Sequence, residues 1–353
     1  MAFFGVTVET IDQVLPHPNA DKLSLGKLKG IAFEFVIGKD QFKIGDKVLY
    51  FPIDSLLPPS IIEALNLTGR LAGKDKNRLK TIKLRGALSQ GLVCSVDKLL
   101  PTDMQDKTSE EITKFLGVTK YDPPPVLEKN ANLLPLPSGQ APYDIEGADR
   151  NQHIVDLMMD RQVGVMEKME GQNFSVTRQE DKTFVNQRNF TIQVKEGAVH
   201  SFWALAEKFG LLDKVKQIPG REVIIYGEMC GPSIQGNIYK LKQHTIFVFD
   251  IRVDNKWMPL EEMMKTMGFT TPNELGHYVN EQGLAMAPLL FKGTLKEYLK
   301  DQSVQSVSNG NSLYGDTLRE GIVIKPLQED TIVSYGRLII KQRSPVYLAG
   351  SDN

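Results

Sequence analysis

Residues 165–176 of the chain spell VMEKMEGQNFSV, in which Lys168 lies between Glu167 and Glu170 and is followed by Gly171. An exposed charged turn between two strands would explain such a segment, because charged residues are mostly found on protein surfaces. The competing interpretation is a lysine held there as a nucleophile. Its amine is protonated in water at neutral pH, so it would need nearby cations or a metal that favour the neutral form. The rest of the chain has to supply those groups.

A lysine that attacks the α-phosphate of a nucleoside triphosphate makes further demands on the sequence. The charge on the transferring phosphoryl group must be met by Lys or Arg side chains and by metal ions, and carboxylates must position the hydrated metal. Segments with charged residues of these kinds, and one with an aromatic pair, follow in the sequence: VNQRN with Arg188, IIYGEMCGPSIQG with Glu228, TIFVFDIRV with Phe247 and Phe249, REGIVIKP with Glu320 and Lys325, and LIIKQRS with Lys341 and Arg343. Each segment alone fits an ordinary strand or turn, but together they favour the nucleophile.

In this order, the segments resemble the motifs of the covalent nucleotidyltransferases, the superfamily that contains RNA ligases, DNA ligases and mRNA capping enzymes. K-M-E-G at 168–171 resembles their K-x-x-G motif, and the QNFS that follows is similar to RNA ligases of the bacteriophage type-2 kind. The sequence departs from the common pattern at two positions. Glu170 stands where many relatives have Asp or His, and Arg343 stands where the last motif has a second lysine.

The resemblance implies a role for each of these residues. Lys168 would attack the α-phosphate of ATP to form a lysyl-adenylate and release pyrophosphate, with Glu228, Glu320 and Lys341 as further catalytic residues. Mg²⁺ or Mn²⁺ would be held, through its waters, by Glu170, Glu228 and Glu320. ATP would be bound by Glu167 at the adenine edge, by Phe247 or Phe249 stacked on adenine, and at the phosphates by Arg188, Lys325, Lys341, Asn173, Arg343 and Arg150.

The N-terminal part has a different pattern. From residue 3 to about residue 96, short strand-like runs alternate with Gly and Pro turns, which predicts a small closed barrel. LPHPNADKLSLGKL at 15–28 resembles the opening of OB-fold tRNA-binding modules, although its Pro, Asn and Asp residues would make a tight turn under any interpretation. Residues 121–142 are rich in Pro, Asn, Gly and Ser and indicate a linker, and beyond them helical patterns alternate with apolar strands.

The expected fold class is therefore α+β. An N-terminal OB-type β-barrel is expected over residues 1–120 and a linker over 121–142. A nucleotidyltransferase domain, ATP-grasp-like and built from antiparallel sheets with flanking helices, is expected over 143–353.

The strongest concentration of positive charge lies in GRLAGKDKNRLKTIKLRGALSQGL at 69–92, where a single acid, Asp75, accompanies Arg70, Lys74, Lys76, Arg78, Lys80, Lys83 and Arg85. Such a run is often a solvated loop. Beside the face of an OB barrel, however, basic loops hold a phosphate backbone. We therefore expect these residues to bind nucleic acid and the barrel to contribute little to lysine adenylation, which needs only ATP and metal.

The composition of the 353 residues is that of a globular protein, with 41% hydrophobic and 24% charged residues. A net charge of −1 means that affinity for nucleic acid must come from local clusters. The two cysteines, Cys94 and Cys230, are too far apart in sequence for a zinc motif and predict neither a metal site nor a disulfide framework. The N-terminus lacks a secretion signal and no segment predicts a membrane span, so a cytoplasmic or nuclear location is expected.

A barrel that precedes the catalytic motifs resembles the Deinococcus and Naegleria type of ATP-dependent RNA ligase. The resemblance implies sealing of a 3′-OH RNA end to a 5′-phosphate at a nick in an RNA or RNA/DNA duplex, and a monomer is expected. Two alternatives remain open. One is an RNA-binding protein that has lost turnover, which a reactive lysine beside three acids disfavours. The other is a guanylyltransferase, which is disfavoured because capping enzymes carry their OB domain after the catalytic domain.

Overall fold

The computed structural model describes residues 3–125 and 127–350 and has the expected α+β architecture. The N-terminal strands are β1 Thr7–Pro16, β2 Leu23–Leu28, β3 Glu34–Gly38, β4 Lys47–Phe51, β5 Ser55–Leu56, β6 Ile82–Leu84, β7 Ala87–Ser89, β8 Leu92–Ser95 and β9 Thr119–Lys120. The helices here are α1 Pro59–Ala64 and α2 Ser109–Phe115. Thr108 begins α2 with a capping box, in which its hydroxyl accepts from the Glu111 N–H and Glu111 accepts from the Thr108 N–H.

The first sheet of the N-terminal part is curled into a barrel. Its strand order is β3-β2-β1-β4-β8, and all pairs are antiparallel. The end of β7 and the residue after it close the barrel, because the Val36 N–H donates to Ser89 Oγ at 3.0 Å and the Gln90 N–H donates to the Glu34 carbonyl at 2.9 Å. The structure thus confirms the OB-type barrel. Its interior contains Phe35 and other buried apolar side chains.

The C-terminal part contains two larger sheets. Its strands are β10 Ala131–Pro135, β11 Gln162–Lys168, β12 Gln172–Gln179, β13 Lys182–Gln187, β14 Phe190–Val194, β15 Glu222–Cys230, β16 Thr245–Val253, β17 Lys256–Trp257, β18 Ala285–Met286, β19 Leu289–Thr294, β20 Gly321–Pro326, β21 Thr331–Ile332, β22 Gly336–Arg337 and β23 Ile340–Arg343. Its helices are α3 Gln152–Met158, α4 Ser201–Lys208, α5 Leu211–Gln217, α6 Leu260–Met267, α7 Leu295–Leu299, α8 Val304–Ser308 and α9 Pro345–Gly350.

The order in the larger sheet is β10-β14-β13-β12-β15-β16-β17, with β18 parallel to β16, and the order in the smaller sheet is β19-β11-β20-β23. Helices α4, α5 and α6 cover the larger sheet, where Phe174, Phe202 and Phe269 are buried. Helices α3, α7 and α8 contribute to the core of the smaller sheet. Each fully buried side chain of this size contributes ~2 kcal/mol to folding by leaving water.

The segment 121–142, expected to be a linker, contains the edge strand β10. It pairs with β14 from Ala131↔Val194 to Pro135↔Phe190. An edge position tolerates Pro135 because proline has no N–H to donate to a further strand. In the described part of the chain, no helix combines the length and the apolar character needed to span a membrane.

Candidate active site

Lys168 lies where the chain passes from the smaller sheet to the larger one. It is the last residue of β11, and β12 begins four residues later at Gln172. Gly171, in the turn between them, packs so closely that a Cβ atom would lie 2.5 Å from the Met229 carbonyl oxygen and 2.8 Å from Glu228 Cγ. The glycine of the motif therefore brings the strand that carries Glu228 against the turn that carries Lys168.

Glu320 lies beside Lys168 because of strand register. Lys168 pairs with Gly321 across β11 and β20, and Gly321 pairs with Arg343 across β20 and β23. A Cβ atom at Gly321 would lie 2.1 Å from the Gln342 carbonyl oxygen, so no larger residue fits between these strands. Lys168 Nζ donates to Glu320 Oε2 at 2.6 Å, and Arg343 Nε lies 3.5 Å from Glu320 Oε1.

These side chains face a cavity of ≈ 430 Å³, a volume typical of small-molecule sites. Of the residues expected at the site, the cavity is lined by Glu167, Lys168, Glu170, Asn173, Arg188, Glu228, Phe249, Glu320, Lys341 and Arg343. The N-terminal part and the chain that follows it also contribute to the wall, with Asp54, Arg78, Lys80, Thr81 and Lys120–Pro125. The cavity therefore lies between the barrel and the two sheets.

Three carboxyl groups surround the lysine. Burial raises the pKa of Glu228 to about 8, an effect that Lys168 and Arg188 oppose and Glu320 reinforces. Burial also raises the pKa of Glu170, which accepts hydrogen bonds from the Gly236 N–H at 3.4 Å and from the Tyr347 side chain. Across residues 3–125 and 127–350, no three His, Cys, Asp or Glu side chains form a cluster that could ligate a metal directly.

Lys341 and Arg188 converge on Asp144, a residue that the sequence analysis did not select. Asp144 Oδ1 accepts from Lys341 Nζ at 3.2 Å, and its Oδ2 lies 3.6 Å from Arg188 Nη2. Burial lowers the pKa of Lys341, while Asp144 acts in the opposite direction. No motif marks Asp144 in the sequence, because its partners lie far along the chain.

Glu167 is buried at the end of the cavity, with 2% of its surface exposed. Its Oε2 accepts from the Leu313 N–H at 2.9 Å, whereas its buried Oε1 has no hydrogen-bond partner among the described residues. Burial raises the pKa of this carboxyl group. Hydrogen bonds from the Ser312 side chain and the Leu313 N–H oppose this effect and hold the carboxyl group in the cavity wall.

The two phenylalanines expected near adenine lie at different depths. Phe247 is fully buried, with its ring centroid 4.6 Å from that of Tyr314, whereas the half-buried Phe249 lines the cavity. An aromatic cluster surrounds Phe249. The Tyr143 ring lies 4.9 Å from Phe249 and 5.6 Å from Trp257, measured between centroids. Phe249 is therefore the one of the pair that a ligand can reach.

Lys325 and Arg150, expected to bind phosphate, do not line the cavity. Lys325 is fully buried and pairs with Asp250 at 2.9 Å. Although burial alone would raise it, the pKa of Asp250 is held down to about 2 by the neighbouring charges of Arg337 and Lys325. Arg150 packs against the barrel instead, 3.6 Å from Glu9 and over the rings of Phe3 and Tyr50.

The basic run divides into two groups. Arg70, Lys74, Lys76, Lys83 and Arg85 are exposed, whereas Arg78 and Lys80 are partly buried and line the cavity. Arg78 donates to Asp54 Oδ1 from Nε at 3.0 Å and from Nη2 at 2.7 Å. A single sequence run thus contributes to two different surfaces. Spacing could not reveal this, because the direction of each side chain depends on the loops of the barrel.

Comparisons with known proteins bear on both parts of the chain. A family model described as RNA ligase matches residues 161–342, and an OB-fold domain model matches residues 5–96. A structure of Naegleria gruberi RNA ligase with pyrophosphate superposes with a TM-score of 0.79 at 25% identity, over 98% of each chain. A variant of that ligase solved with ATP and Mn has the same TM-score and identity over 99% of each chain.

Curated proteins match a shorter segment. The phenylalanine–tRNA ligase beta subunit of Ehrlichia ruminantium is 32% identical over 133 residues, which is 35% of this chain and 15% of that protein. Its counterpart from Wolbachia is 29% identical over 130 residues. The chain therefore spans about 15% of the length of the curated relatives it matches.

Proposed function

This chain belongs to the RNA ligase family, and we propose that it is an ATP-dependent RNA ligase that joins a 3′-OH RNA end to a 5′-phosphate at nicks in a duplex. The observation that carries the proposal is the pairing of Lys168 with Glu320, at 2.6 Å, in a cavity that three carboxyl groups share with several cations. Likeness over 99% of the chain to a ligase variant solved with ATP and Mn supports ATP as the substrate. We propose that the protein acts as a monomer.

In the first step, Lys168 Nζ attacks the α-phosphorus of ATP. An N–P bond forms, the bond between the α-phosphorus and its bridging oxygen breaks, and pyrophosphate leaves with the bonding electrons. Nζ must lose a proton to expose its lone pair. Glu320 lies within hydrogen-bonding distance of Nζ and can receive that proton. Lys341, Arg188 and Arg343 would offset the charge that develops on the phosphates.

The residues around the lysine fit a divalent cation held through its waters. Glu170, Glu228 and Glu320 offer carboxylate oxygens, which suit Mg²⁺ or Mn²⁺. Burial is the main cause of the raised pKa of Glu228, so a cation bound beside it would favour the carboxylate form. When bound, such an ion would neutralise charge on the reacting phosphoryl group.

Recognition of the base would fall to Glu167 and Phe249. The Glu167 carboxyl group would accept from the exocyclic amine of adenine, and the Phe249 ring lies on the cavity wall. Two further steps would follow adenylation. An oxygen of the RNA 5′-phosphate would attack the AMP phosphorus and release the Lys168 amine. The 3′-OH would then attack the activated 5′-phosphate, release AMP and form the phosphodiester.

Separate incubations with ATP or GTP labelled at the α-phosphate and with Mg²⁺ or Mn²⁺, followed by denaturing electrophoresis, test the proposal. We expect an adduct without RNA that survives base and is lost in acid, as a lysine phosphoramidate should be. Lys168→Ala should abolish it, and Lys242→Ala, at an exposed lysine, should not. Labelling retained by Lys168→Ala would overturn the assignment. Labelling from GTP alone would indicate a guanylyltransferase, and RNA binding without labelling would indicate a non-catalytic protein.

A further inference from the structure

Asp54 is a barrel residue that lies in the wall of the active-site cavity. It follows strand β4 with φ at +69°, in the left-handed region that Asp and Asn tolerate better than most residues. Its N–H donates to the Leu79 carbonyl and its own carbonyl accepts from the Tyr121 N–H, both at 2.8 Å. The position of its side chain is therefore fixed by hydrogen bonds of its backbone.

The Asp54 carboxylate binds two arginines. Oδ1 accepts both contacts from Arg78, whose guanidinium stacks 3.6 Å from the centroid of the Tyr121 ring. Oδ2 accepts from Arg343 Nη1 at 3.2 Å. The Asp54 side chain is 22% exposed and that of Arg343 is 30% exposed, so their pairing is only partly screened by water.

Arg343 thus lies between two carboxylates from different parts of the molecule. Nη1 contacts Asp54 of the barrel, and Nε lies 3.5 Å from Glu320, the partner of Lys168. Within residues 3–125 and 127–350, the guanidinium donates a hydrogen bond from Nη1 to Asp54, whereas Nε is close to Glu320 but makes no hydrogen bond. Both N–H groups of Nη2 therefore remain for a bound anion.

We propose that Asp54 is a positioning residue for the nucleotide step, through which the barrel fixes Arg343 and Arg78 in the wall that receives the triphosphate. The inference rests on the proposed function. It also revises the expectation that the barrel contributes little to lysine adenylation, because a carboxylate of the barrel orients a cation beside the reacting lysine.

The same contacts explain why an arginine stands where the common motif has a lysine. A guanidinium offers five N–H donors in a planar fork, so it can contact Asp54 and Glu320 and still present donors to a phosphate. A lysine ammonium concentrates its donors on one nitrogen and cannot span both carboxylates. The identity of residue 343 and the carboxylate at residue 54 should therefore depend on each other.

The test measures the rate of adenylation against ATP concentration for Asp54→Asn, which keeps the shape of the side chain and tolerates the left-handed backbone. We expect KM for ATP to rise by about tenfold, as for loss of a hydrogen bond between charged groups, with little change in the melting temperature. In an Arg343→Lys background the same substitution should have a smaller effect, because the contact with Arg343 is already lost and only the contact with Arg78 remains to be removed. The matched control is Asp40→Asn, an exposed barrel aspartate that also has a positive φ.

A KM for Asp54→Asn within about twofold of wild type would overturn the inference. Effects of Asp54→Asn and Arg343→Lys that multiply in full in the double variant would also overturn it, because the two residues would then act independently. In both cases, adenylation of the wild-type protein would still support the proposed function. An equal rise in KM for Asp40→Asn would overturn it as well, because the effect would then be unspecific. If Asp54→Asn fails to fold, Asp54→Glu keeps the charge on a longer arm. That variant should also raise KM, and an unchanged KM would contradict the inference. Absence of any wild-type adduct would instead mean that the proposed function is wrong.

Discussion

Lys168 Nζ and Glu320 Oε2 lie 2.6 Å apart, although 152 residues separate them in the chain. Antiparallel pairing of β11 with β20 places Lys168 opposite Gly321, so the residue before that glycine emerges beside the lysine. Strand register thus fixes the ion pair.

Replacing Glu320 by Gln removes the proton acceptor but keeps the size of the side chain. We expect the rate of lysine adenylation to fall by at least about 100-fold, within the range for loss of a general base, while the melting temperature changes little. Single-turnover labelling with ATP measures the rate, and circular dichroism monitors the fold. A rate within about threefold of wild type would mean that Glu320 only holds the lysine in place.

The raised pKa of Glu228 predicts a pH dependence of stability. Its carboxyl has a pKa of about 8 in the folded protein, against 4.5 for an unperturbed glutamate. The stability that this group contributes is complete below about pH 4.5 and is lost as the pH rises through about 8. The Gln side chain of the Glu228→Gln variant does not titrate. As the pH rises over this range, the free energy of unfolding of the variant should therefore increase relative to that of wild type, by up to about 1.4 kcal/mol per pH unit.

Urea unfolding at about pH 5 and about pH 9 measures the difference between wild type and Glu228→Gln. Glu196→Gln, at an exposed glutamate, should show no such gain. Parallel pH profiles for wild type and Glu228→Gln would mean that Glu228 is ionised in the folded state.

The exposed part of the basic run should bind nucleic acid through its charge. Lys83→Gln combined with Arg85→Asn removes two exposed cations from the β6–β7 hairpin, and Asn tolerates the positive φ at residue 85. The slope of log affinity for a nicked duplex against log salt should flatten by about 1.4 to 1.8, because two fewer counterions are released. Lys107→Gln, an exposed lysine before α2, serves as a single-charge control. An unchanged slope in the double variant would show that these charges are merely solvated.

Lys325 should support the fold and not the chemistry. Its ammonium is fully buried against Asp250, so Lys325→Ala leaves that carboxylate with less compensation. We expect a loss of ~3 kcal/mol in the free energy of unfolding, as for broken buried pairs. Adenylation per folded molecule should be unchanged at a temperature where the variant is folded. If Lys325→Ala had normal stability but lost adenylation, Lys325 would instead be assigned to phosphate binding.

The sequence was sufficient to predict the site residues that belong to short motifs. Lys168, Glu320 and Lys341 were expected together and line one cavity, because each is accompanied by the glycine or the strand that places it. Asp54 and Asp144 could not be selected, since their partners lie 289 and 197 residues away and no local pattern distinguishes them from surface acids.

Sequence patterns also could not predict how deeply each side chain is buried. Phe247 and Phe249 are two residues apart in β16, but the pairing with β15 is irregular at Phe249, which interrupts the alternation of the strand. Only Phe249 lines the cavity, whereas the rings of Tyr239 and Tyr314 pack against Phe247. Lys325 follows Glu320 in one motif, but the strand carries it away from the cavity and into contact with β16. Alternation along a strand predicts the face on which a side chain lies, but it does not predict whether that side chain reaches the cavity.

The aromatic cluster beside the cavity contains a tryptophan whose intrinsic fluorescence can report on ligand binding. Trp257 lies 5.6 Å from Tyr143, which in turn contacts Phe249 on the cavity wall, so a nucleotide stacked at Phe249 should alter the environment of the indole. The other tryptophan, Trp203, donates from its indole N–H to the Ile192 carbonyl and packs against the core of the larger sheet. Trp203→Phe would therefore leave Trp257 as the only tryptophan of the sequence, and its fluorescence could follow occupancy of the cavity in real time without a label.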